Sequence, residues 1–174
     1  MPTLVHLRLP LPWDEFALPN PLATRATVLS TGAIGWAWDD AAPGLGIDEV
    51  VPVEGVGADG WDLDHVVLLV PSLDASVAAL AAIGVDVRRR TELRGRQTAF
   101  FLVGTLLEVI ESPSLDRPFL HGVALEVDDL DAAGARLRTR GLEVTDPRPA
   151  VQKGRKISTI QGLEAGVVIM SRRE

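Results

Sequence analysis

One stretch of the chain occurs twice. The run His65-Val66-Val67-Leu68-Leu69-Val70-Pro71-Ser72-Leu73-Asp74-Ala75 lies without gaps on Gly122-Val123-Ala124-Leu125-Glu126-Val127-Asp128-Asp129-Leu130-Asp131-Ala132, 57 residues downstream (65 to 122). Val66/Val123, Leu68/Leu125, Val70/Val127, Leu73/Leu130, Asp74/Asp131 and Ala75/Ala132 are identities. The register continues through Leu80/Leu137, Gly84/Gly141 and Val87/Val144. A repeated supersecondary unit restricts the fold more than propensity does, because both copies must bury the same face against each other.

Each copy opens on a β-branched run, and then Ser72 or Asp129 stands where a helix N-cap accepts a backbone N–H. Leu73, Val77, Leu80 and Ala81 recur at helical spacing and Gly84 ends the helix; Leu130, Ala133, Leu137 and Gly141 do the same in the second copy. Three strand-like runs follow each helix, at about 85–92, 97–103 and 105–111 and at about 142–146, 156–161 and 166–171. Arg94-Gly95 and Val103-Gly104 mark turns, and the proline-bearing run 146–154 reads as a loop over one edge. The expectation is an α+β fold of two βαβββ modules, at 61–112 and 119–172, sharing one cupped mixed sheet in a single domain over 61–172.

These paired units, with the stretches Asp64-His65-Val66 and Val123-Ala124-Leu125-Glu126-Val127 and the strand Gly104-Thr105-Leu106-Leu107-Glu108-Val109-Ile110-Glu111, resemble the glyoxalase/bleomycin-resistance (vicinal oxygen chelate) superfamily. The resemblance implies a sheet curved around a cavity and, in metal-dependent members, one ligand on the first strand and one on the last strand of each module. His65 and Glu108 match those positions in the first module. In the second, Gly122 lies opposite His65, and aligning Gly104 with Gly166 puts Met170 opposite Glu108. Neither replaces a hard or borderline metal ligand. His121 is one residue from the ligand position, and strand alternation turns it to the wrong face unless a bulge intervenes. The resemblance thus implies a degenerate site with no cofactor, or a divalent metal held by His65, Glu108 and His121, with Glu126, Glu164 or a second chain completing it.

Glu108 interrupts an apolar strand, and burying an unpaired carboxylate is costly, so it is read as facing the cavity. There, with His65, it is the candidate catalytic group for proton transfer beside a carbonyl. The other reading has His65 capping a strand end and Glu108 paired with an Arg of the neighbouring strand. A two-residue turn at Val103-Gly104 would set Ala99 opposite Glu108, so Gln97, Ala99 and Phe101 would share its face and line a pocket. Arg88, Arg89, Arg90, Arg94 and Arg96 crowd the adjacent hairpin, where Arg96 is a candidate clamp for a ligand anion or the run is a solvated edge.

Residues 1–60 show no counterpart in the repeat and read as an N-terminal β-rich extension packing on the sheet. Thr3–Leu9, Ala26–Ser30 and, weakly, Glu49–Val53 alternate as strands, with a packed loop between them. Trp36 and Trp38 in that loop either wall the cavity or anchor the extension. Gly55, Gly57 and Gly60 read as a linker.

The chain has no Cys, which excludes disulfides and thiolate chemistry, and its only histidines are His6, His65 and His121. A net charge of −7 argues against nucleic acid, and no apolar run has membrane-spanning length, so the protein reads as soluble and cytoplasmic. Three functions follow as expectations. The first is a small-organic-molecule-binding protein with proton transfer through Glu108 and His65. The second is a metal-dependent lyase, isomerase or dioxygenase. The third is a non-catalytic interaction protein whose cup is filled by its own side chains. The resemblance leaves a homodimer open.

Overall fold

The computed structural model describes residues 1–172. Its larger sheet contains the predicted repeat: β6 (Trp61–Val70), α2 (Leu73–Ala82), β7 (Val87–Leu93), β8 (Arg96–Val103) and β9 (Thr105–Glu111), then β10 (Phe119–Val127), α3 (Leu130–Thr139), β11 (Arg148–Pro149), β12 (Lys156–Ile160) and β13 (Gly166–Ser171). The strand order is β11-β12-β13-β10-β6-β9-β8-β7. Both helices are capped as the sequence predicts: Ser72 accepts from Ala75 N–H at 3.3 Å and Asp129 from Ala132 N–H at 2.9 Å. Gly84 and Gly141, at φ +82° and +89°, carry the chain out in the left-handed region.

The modules meet at β6 and β10, which run antiparallel with Val66 facing Val123, His65 facing Ala124 and Val67 facing Gly122. This is the register of a two-fold axis through the Val66–Val123 pair, and it follows from the 57-residue repeat. Val66, Leu68, Val70, Val123, Leu125 and Val127 are buried on the face toward the helices. His65, Val67, Ala124 and Glu126 alternate onto the concave face. The run 142–146, expected as a strand, contributes only a bridge from Val144 to Ile160, while Arg148–Pro149 of the expected loop pairs with β12 at the edge.

Residues 1–60 do more than pack on this sheet. They build a second, five-stranded one, order β4-β1-β3-β2-β5, from β1 (Leu4–Leu9), β2 (Leu22–Ala23), β3 (Val28–Thr31), β4 (Gly35–Trp38) and β5 (Val56–Gly57), with a single-turn helix α1 (Trp13–Phe16). The two Trp of the expected loop lie in β4, and Glu49 makes only an isolated bridge to Trp36. β1 pairs antiparallel with β4 and parallel with β3, which pairs antiparallel with β2. β6 has the same relations to β10, β9 and β8. The N-terminal segment is therefore a shortened third occurrence of the unit, with its helix cut to one turn.

One hydrophobic cluster joins both sheets, from Leu4, Leu7 and Trp13 through Leu68 and Phe101 to Leu137 and Ile169. No helix of the described residues is long and apolar enough to cross a membrane.

Candidate functional site

The site is organised by an irregularity in β6. Leu63 pairs with Leu125 and His65 with Ala124, leaving Asp64 as an extra residue. A bulge cancels the alternation that would send neighbouring side chains to opposite faces, and Asp64 Oδ2 reaches His65 Nδ1 at 2.7 Å. On the parallel neighbour β9, Glu108 stands opposite Val67, and its Oε2 lies 3.2 Å from His65 Nε2. Arg155, just before β12, crosses the concave face of the second module. It donates from Nη1 to Asp64 at 2.6 Å, from Nη2 to Glu126 at 3.0 Å and from Nε to the Ser171 carbonyl at 2.7 Å. Arg172 closes the far end on Asp128 at 2.6 Å. A chain of alternating charge, Glu108–His65–Asp64–Arg155–Glu126, thus joins the two modules.

Burial opposes charge on His65, but the hydrogen bonds to Asp64 and Glu108 and the charges of both carboxylates outweigh it and raise its pKa to about 9. Burial likewise opposes ionisation of Asp64, yet the hydrogen bonds from His65 and Arg155 and their charges hold it below the usual carboxylate range. The raised pKa favours the imidazolium at neutral pH, with Nδ1 hydrogen-bonded to Asp64 and Nε2 ion-paired with Glu108. A metal at Nε2 would have to displace the ring proton there and break the pairing with Glu108.

The family pattern's second-module positions also lack donors. The parallel register of β10 and β13 sets Val168 beside Ala124, as β6 and β9 set Glu108 beside Val67; Val168, not Met170, is thus the counterpart of Glu108. Among the described residues no group of three or more His, Asp or Glu comes together in metal-binding geometry. This donor set does not fit a divalent ion.

The structure brings His65 and Glu108 together and places the other predicted residues elsewhere. His121 does lie at a bulge, between the Leu120–Leu68 and Gly122–Val67 pairs, but the bulge leaves it exposed beside Gly166. Glu164 is exposed, and Glu126 is bound to Arg155.

The β8–β9 turn has one residue, Gly104 at φ +85°, because Val103 pairs with Thr105. This shifts the register by one from the expected two-residue loop, and Phe100 rather than Ala99 opposes Glu108. Phe101 is fully buried on the helix face, so it does not line the cup. Gln97 is exposed and hydrogen-bonds Glu92, and Arg96 is exposed at the hairpin end. Trp36 and Trp38 pack edge to face at 5.4 Å within the N-terminal sheet and do not wall this cup.

Sequence reasoning missed Asp64 and Arg155. Asp64 is adjacent to His65 in the chain, but period-two alternation assigns it to the other face. Arg155 lies 91 residues from Asp64 and in no motif.

A cleft of about 370 Å³ opens at this end of the strands, lined by Asp64, Leu102, Leu106 and Glu126 and, from the N-terminal sheet, Thr24 and Arg25. Arg25 is fixed there by Asp62, through a backbone hydrogen bond of 3.0 Å and an ion pair of 2.7 Å.

The sequence model of the Glyoxalase/Bleomycin resistance protein/Dioxygenase superfamily matches residues 64–159. No curated protein matches the chain. Among solved structures, methylmalonyl-CoA epimerase from Mycobacterium tuberculosis is similar at 19% identity over 64% of this chain and 88% of that one, with a TM-score of 0.53. A second methylmalonyl-CoA epimerase is 21% identical over 67% of this chain and 99% of that one, TM-score 0.54. A mutant of 4-hydroxymandelate synthase from Streptomyces coelicolor is 12% identical over 99% of this chain and 94% of that one, TM-score 0.63, so the likeness takes in the N-terminal sheet. At these identities the similarity is one of fold.

Proposed function

Since the chain belongs to the Glyoxalase/Bleomycin resistance protein/Dioxygenase superfamily, a fold that hosts many chemistries, we propose that its cup binds a small organic molecule and moves a proton on it through Glu108 and His65, without a resident metal. The observation that carries this reading is the pair of carboxylates on either side of one buried histidine ring, Asp64 at 2.7 Å and Glu108 at 3.2 Å. Asp64 anchors the ring. Glu108, two residues on from the cleft-lining Leu106 and so on the same face of β9, supplies a carboxylate paired with His65 through Oε2. Such a group takes a proton from carbon next to a carbonyl: the C–H bond breaks, the proton goes to the carboxylate, and the electron pair moves onto the carbonyl oxygen. The fixed positive charge of His65 stabilises the anion that forms.

The methylmalonyl-CoA epimerases that share the fold supply the first compounds to try. Acyl thioesters branched at C2, and 2-oxo acids, are incubated with the protein in D₂O and the C2 or C3 proton is followed by NMR. The expected result is exchange that falls at least about a hundredfold in Glu108→Gln while the ligand still binds. Stoichiometric uptake of zinc or manganese by the wild type, lost in His65→Ala, would overturn the metal-free part. A second reading, a cup that only sequesters its ligand, is favoured by the full mutual pairing of Asp64, Arg155 and Glu126. Saturable binding with no exchange in any variant would select it.

A further inference from the structure

The N-terminal sheet repeats the site as well as the topology. On β1, His6 pairs with Ala37, Leu7 with Trp36 and Arg8 with Gly35; on β6, His65 pairs with Ala124, Val66 with Val123 and Val67 with Gly122. Toward the parallel neighbour, His6 pairs with Val28 and Arg8 with Ser30, as His65 pairs with Leu106 and Val67 with Glu108. Val5 is a bulged extra residue between Leu4 and His6, as Asp64 is between Leu63 and His65. The registers therefore set His6 on His65, Ser30 on Glu108 and Gly35 on Gly122. The side chains agree, since His6 Nε2 lies 2.7 Å from Ser30 Oγ, the counterpart of the His65–Glu108 contact.

What differs is the occupant. The segment Asp48–Gly57 crosses this concave face from β4 over β1 to β2. Trp36 N–H donates to the Asp48 carbonyl at 3.0 Å, Val50 N–H to the Trp36 carbonyl at 2.9 Å, and Val56 N–H to the Pro21 carbonyl at 3.1 Å. The Val51 carbonyl lies 3.1 Å from His6 Nδ1. A carbonyl only accepts, so Nδ1 carries the proton and Nε2 accepts from the Ser30 hydroxyl. Burial lowers the pKa of His6, an effect partly offset by the Val51 hydrogen bond and reinforced by the charge of Arg8, and the ring is neutral at pH 7. The approach is close: a Cβ on Gly35 would stand 2.4 Å from Val50 Cγ1, and one on Gly55 2.8 Å from Ala23 N.

The strap is held by its main chain. Val51 is 81% exposed, Val53 41% and Val56 67%. Its ladder is two residues of β5 on β2, plus one bridge at Glu49. Glycines 44 and 46 precede it, 55 and 57 lie at its end and 60 follows. Segments with few buried apolar contacts and exposed backbone open at low free energy.

We propose that the N-terminal sheet is a second binding cup, occupied by the chain's own strap, and that its ligand class is an extended peptide recognised through main-chain hydrogen bonds and one carbonyl on His6. Recognition of this kind reads backbone and tolerates side-chain change at the exposed positions. A tethered strap competes at an effective concentration in the millimolar range, which keeps free peptide out of the intact protein. The inference stands on the N-terminal sheet alone and does not depend on the chemistry at His65.

The test replaces residues 49–54 by Gly and Ser, length unchanged, in the full chain. The probe is an acetylated, amidated peptide with the sequence of residues 48–57, titrated by calorimetry. The expected result is one peptide bound per chain of the variant, with affinity at least about a hundredfold above that for wild type, and lost again in His6→Ala. A variant that keeps the wild-type ring-proton NMR signals of His65, and hence its larger sheet, but takes up no peptide overturns the proposal, as does equal binding to both proteins. If the variant does not fold, amide exchange on the wild type decides. Val50 and Val56 N–H are expected to exchange at least about tenfold faster than Leu7 and Leu29 N–H, and equal rates overturn the proposal.

Discussion

His65 shows how one side chain acquires a fixed charge from its neighbours. Its folded pKa of about 9 lies above the 6.5 of a free imidazole. A group raised on folding contributes stability that is fully present below the unfolded value and lost as pH rises through the folded one. Denaturant midpoints are therefore expected to fall between about pH 6.5 and 9, by on the order of 3 kcal/mol in all, and the fall should flatten in His65→Gln. Nitrogen-detected NMR of the ring checks the same quantity directly: both nitrogens should stay protonated at pH 7, and Glu108→Gln should lower the titration midpoint. His65 and Glu108 were legible in the sequence because each interrupts or opens a repeated apolar strand. Arg155 was not, because its role comes from a side chain crossing β13 and β10 to reach β6, and no local pattern records that path.

Among elements, the bulges at Val5, Asp64 and His121 do what regular strands cannot. Each shifts the alternation by one at the same point of its strand, and only Asp64 puts a carboxylate beside the following His. Gly122, next to the third bulge, lies so close to β13 that a Cβ would stand 1.9 Å from the Gly166 carbonyl oxygen. Gly122→Ala must displace backbone and is expected to cost about 3 kcal/mol or more. Gly134→Ala, inside α3, meets nothing nearer than 3.7 Å and should stabilise by about 0.5–1 kcal/mol. Thermal or urea unfolding of the two variants reads both.

The helices with their caps and the positions of most of the main strands along the chain could be read from residue type and spacing. The one-residue turn at Gly104 could not, since Val103-Gly104 also suits a two-residue loop, and that ambiguity moved Phe101 to the wrong face. The third occurrence of the unit escaped notice for a different reason. With a four-residue helix and a two-residue strand, too little periodicity remains to align, and His6-x-x-Leu9 and Gly35-x-Ala37 are nearly all that it shares with His65-x-x-Leu68 and Gly122-x-Ala124.

Over the whole molecule, the N-terminal sheet is fastened at several places. Arg140 donates to the carbonyls of Asp14 and Glu15 at 2.7 Å each, and Arg136 to that of Ala17 at 2.8 Å. The Gly104 turn is seated on Thr3 and Ala26, and the apolar cluster is continuous across the junction. A core shared by both sheets couples their unfolding, and a single transition is expected here for every tract except the strap. The distribution of tryptophan makes the expectation easy to check. Trp13, Trp36 and Trp38 all sit in the first half, the last two crossed at 88°, whereas Trp61 begins β6. The coupled near-ultraviolet circular dichroism of the Trp36–Trp38 pair is thus a natural optical label for one half of the molecule, and the ring protons of His65 are a label for the other. Coincident loss of the two signals would mean that neither half outlives its partner, and no dye need be attached to find out.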